Sequence, residues 1–480
     1  MTTFLDELLR EDNLTLTENG AVTNKSSLNA VVDYFAAAGA MRDTPAKAAE
    51  LFEKAFLEDP QTAVRTMFYL RDVRGGQGER AVFRECYRSL AAMAPATAEA
   101  LLVHIPEYGR WDDVFYDGSN VTPGISALIG DQLVKDAKDF SEGKSVSLLA
   151  KWLPSDKSKA RKDLAINLRK AIGLDQRKYR KVLSRLRSRI SLLEHDMSAK
   201  RWKEIDWGKL PSRAHKTHVK AFYRNTPAEY QAYLDSVVKG EAKVNAGTLY
   251  PYELYDMVHA GQAKAADALW ANLHDYTRGN DGIVLADVSG SMWGRPMSVS
   301  VSLALYFADR NQGAYKDHFM TFSSTPKLEK VTGRTLSERM NAIQHSTTWC
   351  GSTDLFAAFR AILEAGKRSG EVPKTLYVVS DMEFDAAFGL GRWGRQPSAS
   401  ATIFETAKRE FADAGLELPH VVFWNVNARN SNYPALAHDG HVTLVSGLSP
   451  TVFGMAVEGR SPAELVQDVV NGPRYQQIVV

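Results

Sequence analysis

Asp287-Val288-Ser289-Gly290-Ser291 places one carboxylate and two hydroxyls at alternate positions, directly after the apolar run 282–286. Alternate residues of an extended segment face one side, so these oxygens can converge. Two later stretches offer the same chemistry: Gly351-Ser352-Thr353-Asp354 opens a helical pattern, and Val378-Val379-Ser380-Asp381 ends a strand-like run. Hydroxyls and carboxylates suit a small hard cation such as Mg²⁺, which takes oxygen ligands in a near-octahedral shell and keeps several waters. The competing cause is helix capping, which Ser and Asp perform well after a strand.

A second chemistry lies upstream. Between Asp175 and Glu194 there is no acidic residue, while Arg177, Lys178, Arg180, Lys181, Arg185, Arg187 and Arg189 follow in close succession. At about 100° per residue, Tyr179, Val182, Leu183, Leu186, Ile190 and Leu193 fall in one arc roughly 100° wide, so one face packs and the remainder is positive. Basic residues continue through Lys200, Arg201, Lys203, Arg213, Lys216, Lys220 and Arg224, interleaved with Trp202, Trp207, Phe222 and Tyr223. Cationic groups bind phosphates and aromatics stack on unpaired bases. Charge runs are also a common form of solvated surface, and Trp202 and Trp207 read better as core. Arg74-Gly75-Gly76-Gln77-Gly78, entering a helix, is a further phosphate-binding candidate. It lacks the Lys-Ser/Thr of a nucleotide-hydrolysing loop, and it serves equally as a plain turn between helices. Ile105 to Asp113 reads as a packed corner in which Arg110 and the aspartates are structural.

The elements that position these groups change character along the chain. From about 28 to 275 apolar residues recur at three- and four-residue spacing, giving helices at 28–38, 45–59, 60–73, 79–93 and 95–104 separated by short breakers. Helix pairs joined by short turns imply a HEAT-like α-solenoid, although no fixed-period repeat is visible. Beyond residue 276, strands at 282–286, 317–322, 375–379, 420–425 and 441–445 alternate with helices at 297–310, 336–344, 354–364, 400–414 and 461–470. That alternation argues a doubly wound, mostly parallel α/β sheet, whose ligands bind at the carboxyl ends of the strands, where Asp287 and Asp381 fall. The chain thus divides into an N-terminal segment (1–27), a helical domain (28–275) and an α/β domain (276–480).

Composition sets the bounds. The chain has 480 residues, 44% hydrophobic and 24% charged, with two cysteines, Cys86 and Cys350. That size allows two to four domains. The cysteines can build neither a disulfide framework nor a cysteine-rich zinc site, and a reducing, cytoplasmic setting is expected. No run of about 18 apolar residues argues for a membrane span, and Met1 to Glu7 lacks the basic and apolar regions of a secretory signal. Net charge is +2 overall, yet residues 151–224 alone carry +15, with 22 Lys/Arg against 7 Asp/Glu. Segregation of that size points to a polyanionic partner, nucleic acid being the commonest.

The Asp-x-Ser-x-Ser, Gly-Ser-Thr-Asp and Ser380-Asp381 stretches together resemble the metal-ion-dependent adhesion site of a von Willebrand factor A domain. Carried over by motif, the resemblance makes Asp287, Ser289, Ser291, Thr353 and Asp381 the candidate ligands of Mg²⁺ or another divalent cation, direct or through water. In that family the open coordination position is where a partner's carboxylate can bind. Arg74-Gly75-Gly76-Gln77-Gly78-Glu79-Arg80, then Gln176 to Ser184, then this A domain resembles in order the Ro (TROVE) family. It resembles more closely an uncharacterised relative of that family with some phage-encoded members. Ro proteins are non-enzymatic, ring-shaped binders of small noncoding RNAs and of single-stranded ends of misfolded RNAs. Their HEAT-like repeats close on the A domain, and basic surfaces carry the RNA. The resemblance therefore implies RNA binding here, with Arg177, Lys178, Arg180, Lys181, Arg185, Arg187, Arg189, Lys200, Arg201 and Lys216 as candidate contacts.

A metal-dependent protein–protein scaffold is the second expectation, with the metal capturing a partner carboxylate. Metal-assisted hydrolysis ranks last, because no general base stands apart from the ligands and no His sits at ligand spacing. Cys350 has no positioned His to make it a nucleophile. The glycine-rich stretch Phe388 to Arg395 is expected to overhang the metal site as a lid or a flexible insertion.

Overall fold

The computed structural model describes residues 12–117, 121–190, 193–277, 279, 281–322, 325–343, 352–386, 401–455 and 460–480. Cys350, Gly351 and the stretch Phe388 to Arg395 lie outside the described residues.

The chain opens with a short antiparallel hairpin, β1 (Leu14–Leu16) and β2 (Val22–Asn24). Helices then run to residue 271. Several start where the sequence places proline at the first helical position and a capping side chain before it. Pro60 begins Pro60–Arg71 and the Asp59 carboxylate accepts from the Thr62 amide at 3.0 Å. Asn29 caps Ala30–Ala38 through the Val32 amide at 2.8 Å. Both devices satisfy amides that a helix leaves orphaned.

The second half is a mixed six-stranded sheet: β3 (Gly282–Ala286), β4 (His318–Thr321), β5 (Lys327–Lys330), β6 (Thr375–Ser380), β7 (His420–Asn425) and β8 (Val442–Ser446). The strand order is β5-β4-β3-β6-β7-β8, parallel throughout except for β5, which runs antiparallel to β4. Adjacent residues of a strand face opposite sides, and β7 shows it. Trp424 packs on Phe453, which also meets Tyr377 and Phe307 of the helix Arg295–Arg310. Phe423 faces the other way, onto Phe404 of the helix Ile403–Asp413. Helices therefore cover both faces, as buried parallel strands require. Among the described residues no helix is long and apolar enough to cross a membrane.

The two halves interlock at several places, three of which carry the helices. The Gly39 amide donates to Ser446 Oγ, which donates to the Phe35 carbonyl, seating the helix Ala30–Ala38 on β8. The helix Ala263–Ala271 meets Arg295–Arg310 through Trp270 Nε1 to Asp309 at 2.9 Å and Arg310 to the Trp270 carbonyl at 2.8 Å. The C-terminal tail returns to the first helices. Tyr475 stacks on Tyr108 and donates to Asp72, and Gln61 Nε2 donates to the Ile478 carbonyl at 2.8 Å. The ends of the helical run also touch: Tyr250 donates to the Gln77 carbonyl at 2.8 Å, and Arg42 reaches both Tyr252 and Glu79.

Two buried histidines give the fold an acid limit. His215 pairs with the Tyr230 hydroxyl at 2.6 Å and His420 with Thr443 at 2.9 Å. Burial pushes both imidazoles down to about 4. Between pH 6.5 and 4 the unfolded chain takes up protons that the folded chain refuses, so stability falls as pH falls through that window and is not affected by these groups above it. The slope is on the order of 1.4 kcal/mol per pH unit for each histidine. Urea melts at pH 7.0, 5.5 and 4.5 should show a smaller acid loss in the double variant His215→Gln, His420→Gln; an unchanged loss would assign it elsewhere.

Candidate metal centre and basic surface

β3 and β6 lie side by side with Ala286 opposite Val379, so Asp287 and Asp381 leave adjacent strands at the same edge. The chain turns to opposite sides of β3 here, β4 on one and β6 on the other, which makes this the switch point of the sheet. Asp287 is fully buried. Its carboxylate accepts from the Ser289 amide at 2.9 Å and from the Ser380 hydroxyl at 2.5 Å. Burial first, and then the neighbouring Asp381, push the Asp287 carboxyl up to about 6. The Ser289 and Ser291 hydroxyls stand 3.1 Å apart. Adjacent ligands of an octahedral Mg²⁺ at about 2.1 Å are about 3.0 Å apart, so this pair matches one edge of such a shell. A buried carboxylate beside two convergent hydroxyls fits a hard cation.

The other two candidates are engaged differently. Asp381 accepts from the Glu383 amide at 3.2 Å and from Arg429 Nη2 at 3.0 Å. Thr353 donates to Asp385 at 2.9 Å and accepts from Asn19 Nδ2 at 3.2 Å. No hydrogen bond joins Thr353 to Asp287, Ser289 or Ser291 among the described residues. Sequence reasoning missed Arg429 and the β1–β2 hairpin, whose tip lies on the loop after β6, and it quoted Ser380 in the motif without giving it a role at the centre. It also missed Trp293, two residues beyond Ser291 and 83% exposed. The spacing of Ser380 before Asp381 was the one available signal; nothing in the sequence marks Arg429.

The basic helix forms at Gln176–Arg189, capped by Asp175 through the Lys178 amide at 2.8 Å. Tyr179, Leu183 and Leu186 are buried, the face its periodicity requires. Arg177, Lys178, Arg180, Lys181 and Arg185 are exposed, as is Lys200. Arg185 lies over the Phe140 ring at 4.5 Å, and Lys178 has only an exposed partner, Asp175, at 3.6 Å.

Four of the candidate contacts have partners within the protein. Arg187 is half-buried and donates to the carbonyls of Ala150 and Leu153 at 2.8 and 2.7 Å, so it ties the helix down. Arg189 donates to the carbonyls of Lys144 and Gly143. Arg201 pairs with Asp196 at 2.5 Å and Glu204 at 3.4 Å. Lys216 shares the buried Glu253 with Arg213, at 2.8 and 2.7 Å. Trp207 packs against Phe222, Tyr230 and Tyr233 as core.

Of the two readings of Arg74 to Gly78, the contacts favour the plain turn between helices. Three of its five amides are spent inside the turn: Arg74 on Asp72, Gln77 on the Tyr69 carbonyl, Gly78 on the Asp72 carbonyl. A Cβ at Gly76 would stand 1.9 Å from the Tyr69 oxygen, so glycine is there for close backbone approach. The Gln77 side chain meets Tyr69 and the Ser449 amide, making this loop a joint between the two halves. Arg110, Asp112 and Asp113 form a largely buried ionic corner with Arg71 and Arg84.

Comparison with known proteins gives two family matches. The family described as domain of unknown function DUF2828 matches residues 17–107 and 123–280, together more than half of the chain. The family described as domain of unknown function DUF7788 matches residues 281–474. An uncharacterised protein of Acanthamoeba polyphaga mimivirus is 29% identical over 521 aligned positions, covering 96% of this chain and 86% of that one. The crystal structure of the Ro (RSR) protein of Deinococcus radiodurans aligns over 90% of this chain and 92% of its own, at 13% identity and a TM-score of 0.35.

Proposed function

The chain belongs to the family described as domain of unknown function DUF2828, and from that premise we propose that it is a non-enzymatic, Ro-like RNA-binding protein. The observation that carries this reading is the outward face of Gln176–Arg189. Arg177, Arg180, Lys181 and Arg185 are exposed there with no carboxylate on the helix to neutralise them. The opposite face is pinned by Tyr179, Leu183, Leu186 and Arg187. A rigid helix presenting unpaired cations binds a phosphate backbone, and single-stranded RNA is the ligand class. Contact between Gln77 and Tyr250 supports a helical path that closes on itself, HEAT-like units forming the ring and the A domain its clasp. We place the protein in the cytoplasm on this reading.

At the sheet edge Asp287, Ser289 and Ser291 would hold a divalent cation, Mg²⁺ by donor chemistry, with Asp381 and Thr353 completing the set directly or through water. The ion would offset two buried carboxylates and present an open position to an oxygen ligand. Trp293, exposed beside Ser291, favours a second reading in which a protein partner docks an acidic side chain at that position. Saturating Mg²⁺ at 100 times its Kd is expected to stabilise the chain by about 2.7 kcal/mol, and Asp287→Asn to abolish the gain. Thermal melts with and without Mg²⁺ decide it; equal shifts in both proteins would remove Asp287 from the site.

The RNA reading is tested by fluorescence anisotropy with a labelled single-stranded RNA. Binding should weaken steeply between 50 and 200 mM salt, as phosphate contacts do. Affinity flat across that range, or absent, would move the weight to the protein-partner reading.

A further inference from the structure

The tip of the β1–β2 hairpin grips the two loops that carry Thr353 and Asp381. Thr17 donates to the Phe384 carbonyl at 2.6 Å, the Glu18 amide to Glu383 at 2.7 Å, and the Ala386 amide to the Asn19 carbonyl at 3.0 Å. Asn19 Nδ2 reaches both the Glu383 carbonyl at 2.6 Å and the Thr353 hydroxyl at 3.2 Å. A second side chain joins this tip to the centre. Arg429 gives Nη2 to Asp381 at 3.0 Å and Nη1 to Glu18 at 2.9 Å. It is bidentate to neither carboxylate, and its buried Nε has no hydrogen-bond partner among the described residues. Asp381 is closed to solvent, whereas Glu18 is half exposed.

We infer that Arg429 is an internal counter-ion latching the N-terminal hairpin over the sheet edge, so that a divalent cation and the docked hairpin oppose one another. The inference rests on the metal-centre reading above. Two of the five candidate ligands are held by this device: Asp381 by Arg429, and Thr353 by Asn19. A cation that draws on Asp381 brings like charge against the guanidinium and removes its buried partner. A cation that draws on Thr353 takes the hydroxyl from Asn19. Either way the tip loses contacts, and by linkage whatever loosens the tip favours the cation by the same factor. The hairpin then acts as a lid built from the start of the chain, opened by the ion it covers.

Hydrogen exchange of the full chain, with and without Mn²⁺ as the probe ion, reads this directly. Amides of residues 14–24 are expected to exchange at least about fivefold faster with Mn²⁺ bound, the lower end of ordinary coupling between sites. Arg429→Gln removes the competing cation, and calorimetry should show Mn²⁺ binding about tenfold tighter than in the unmodified chain. Glu18→Gln cuts only the exposed end of the latch, is the variant less able to disturb folding, and should move affinity and hairpin exchange in the same directions. Mn²⁺ binding with hairpin exchange unchanged or slowed, or equal affinity in all three proteins, overturns the latch and leaves the metal centre standing. No Mn²⁺ binding in any of them overturns both.

Discussion

Reversing Arg177, Lys181 and Arg185 to glutamate together is expected to cost on the order of 100-fold in affinity for single-stranded RNA near 100 mM salt. The slope of log K against log salt should also fall by roughly 2, since each single-strand phosphate contact contributes about 0.7. These three side chains are exposed and take no part in an ion pair with a carboxylate on their helix. Their loss should therefore cost little stability, no more than about 1 kcal/mol from the Arg185 contact with Phe140. Arg187→Ala supplies the contrast. Its guanidinium holds two backbone carbonyls at 2.7 and 2.8 Å, so its removal leaves buried acceptors unmet and lowers stability first. Anisotropy titrations across salt, paired with melts, separate the two effects. RNA affinity indifferent to the triple reversal would show that the positive face is only a solvated surface.

Asp113→Ala is expected to destabilise the chain by about 3–5 kcal/mol, the usual cost of stranding a buried charge. Asp113 accepts two bonds from Arg71, at 2.9 and 2.6 Å, one from Arg84 at 2.8 Å and one from the Arg110 amide at 3.0 Å. Arg71 is only 2% exposed, so water cannot replace the lost carboxylate. Arg74–Glu107, nearby at 3.4 Å, is exposed on both sides, and Glu107→Ala should cost no more than about 1 kcal/mol. Urea unfolding followed by circular dichroism measures both. A loss under about 1 kcal/mol for Asp113→Ala would mean that the corner relaxes to admit water.

Strand and helix positions were largely legible because their signals are local. The apolar run before Asp287 is β3 to the residue, and prolines at 45, 60 and 95 mark helix starts. β5 was not legible: Lys327-Leu328-Glu329-Lys330 is too polar and short to read as a strand, and it survives as an antiparallel edge. The hairpin escaped for a related reason, since three-residue strands carry no periodicity. In the candidate centre Ser289 and Ser291 do converge, but through a 3-10 turn at Gly290–Met292 rather than the extended alternation that the spacing implies. Arg429 follows from nothing local, because its two carboxylate partners arrive from residues 18 and 381. The same limit explains Arg187 and Arg189: helical spacing gives the direction of a side chain but not which carbonyls wait there.

The interlocking of the chain's two ends bears on how it can be made. Thr17 must wait for Phe384, 367 residues later, and Gly39 for Ser446, 407 residues later. At roughly 5–20 residues per second a ribosome leaves the first helices without their final partners for about 20–80 s. For that interval the surface of Ala30–Ala38 destined for β8 stays open to other chains, a natural place for a chaperone to hold. A nascent chain stalled before residue 440 should therefore remain protease-sensitive in its earliest helices and become resistant only once β8 has emerged.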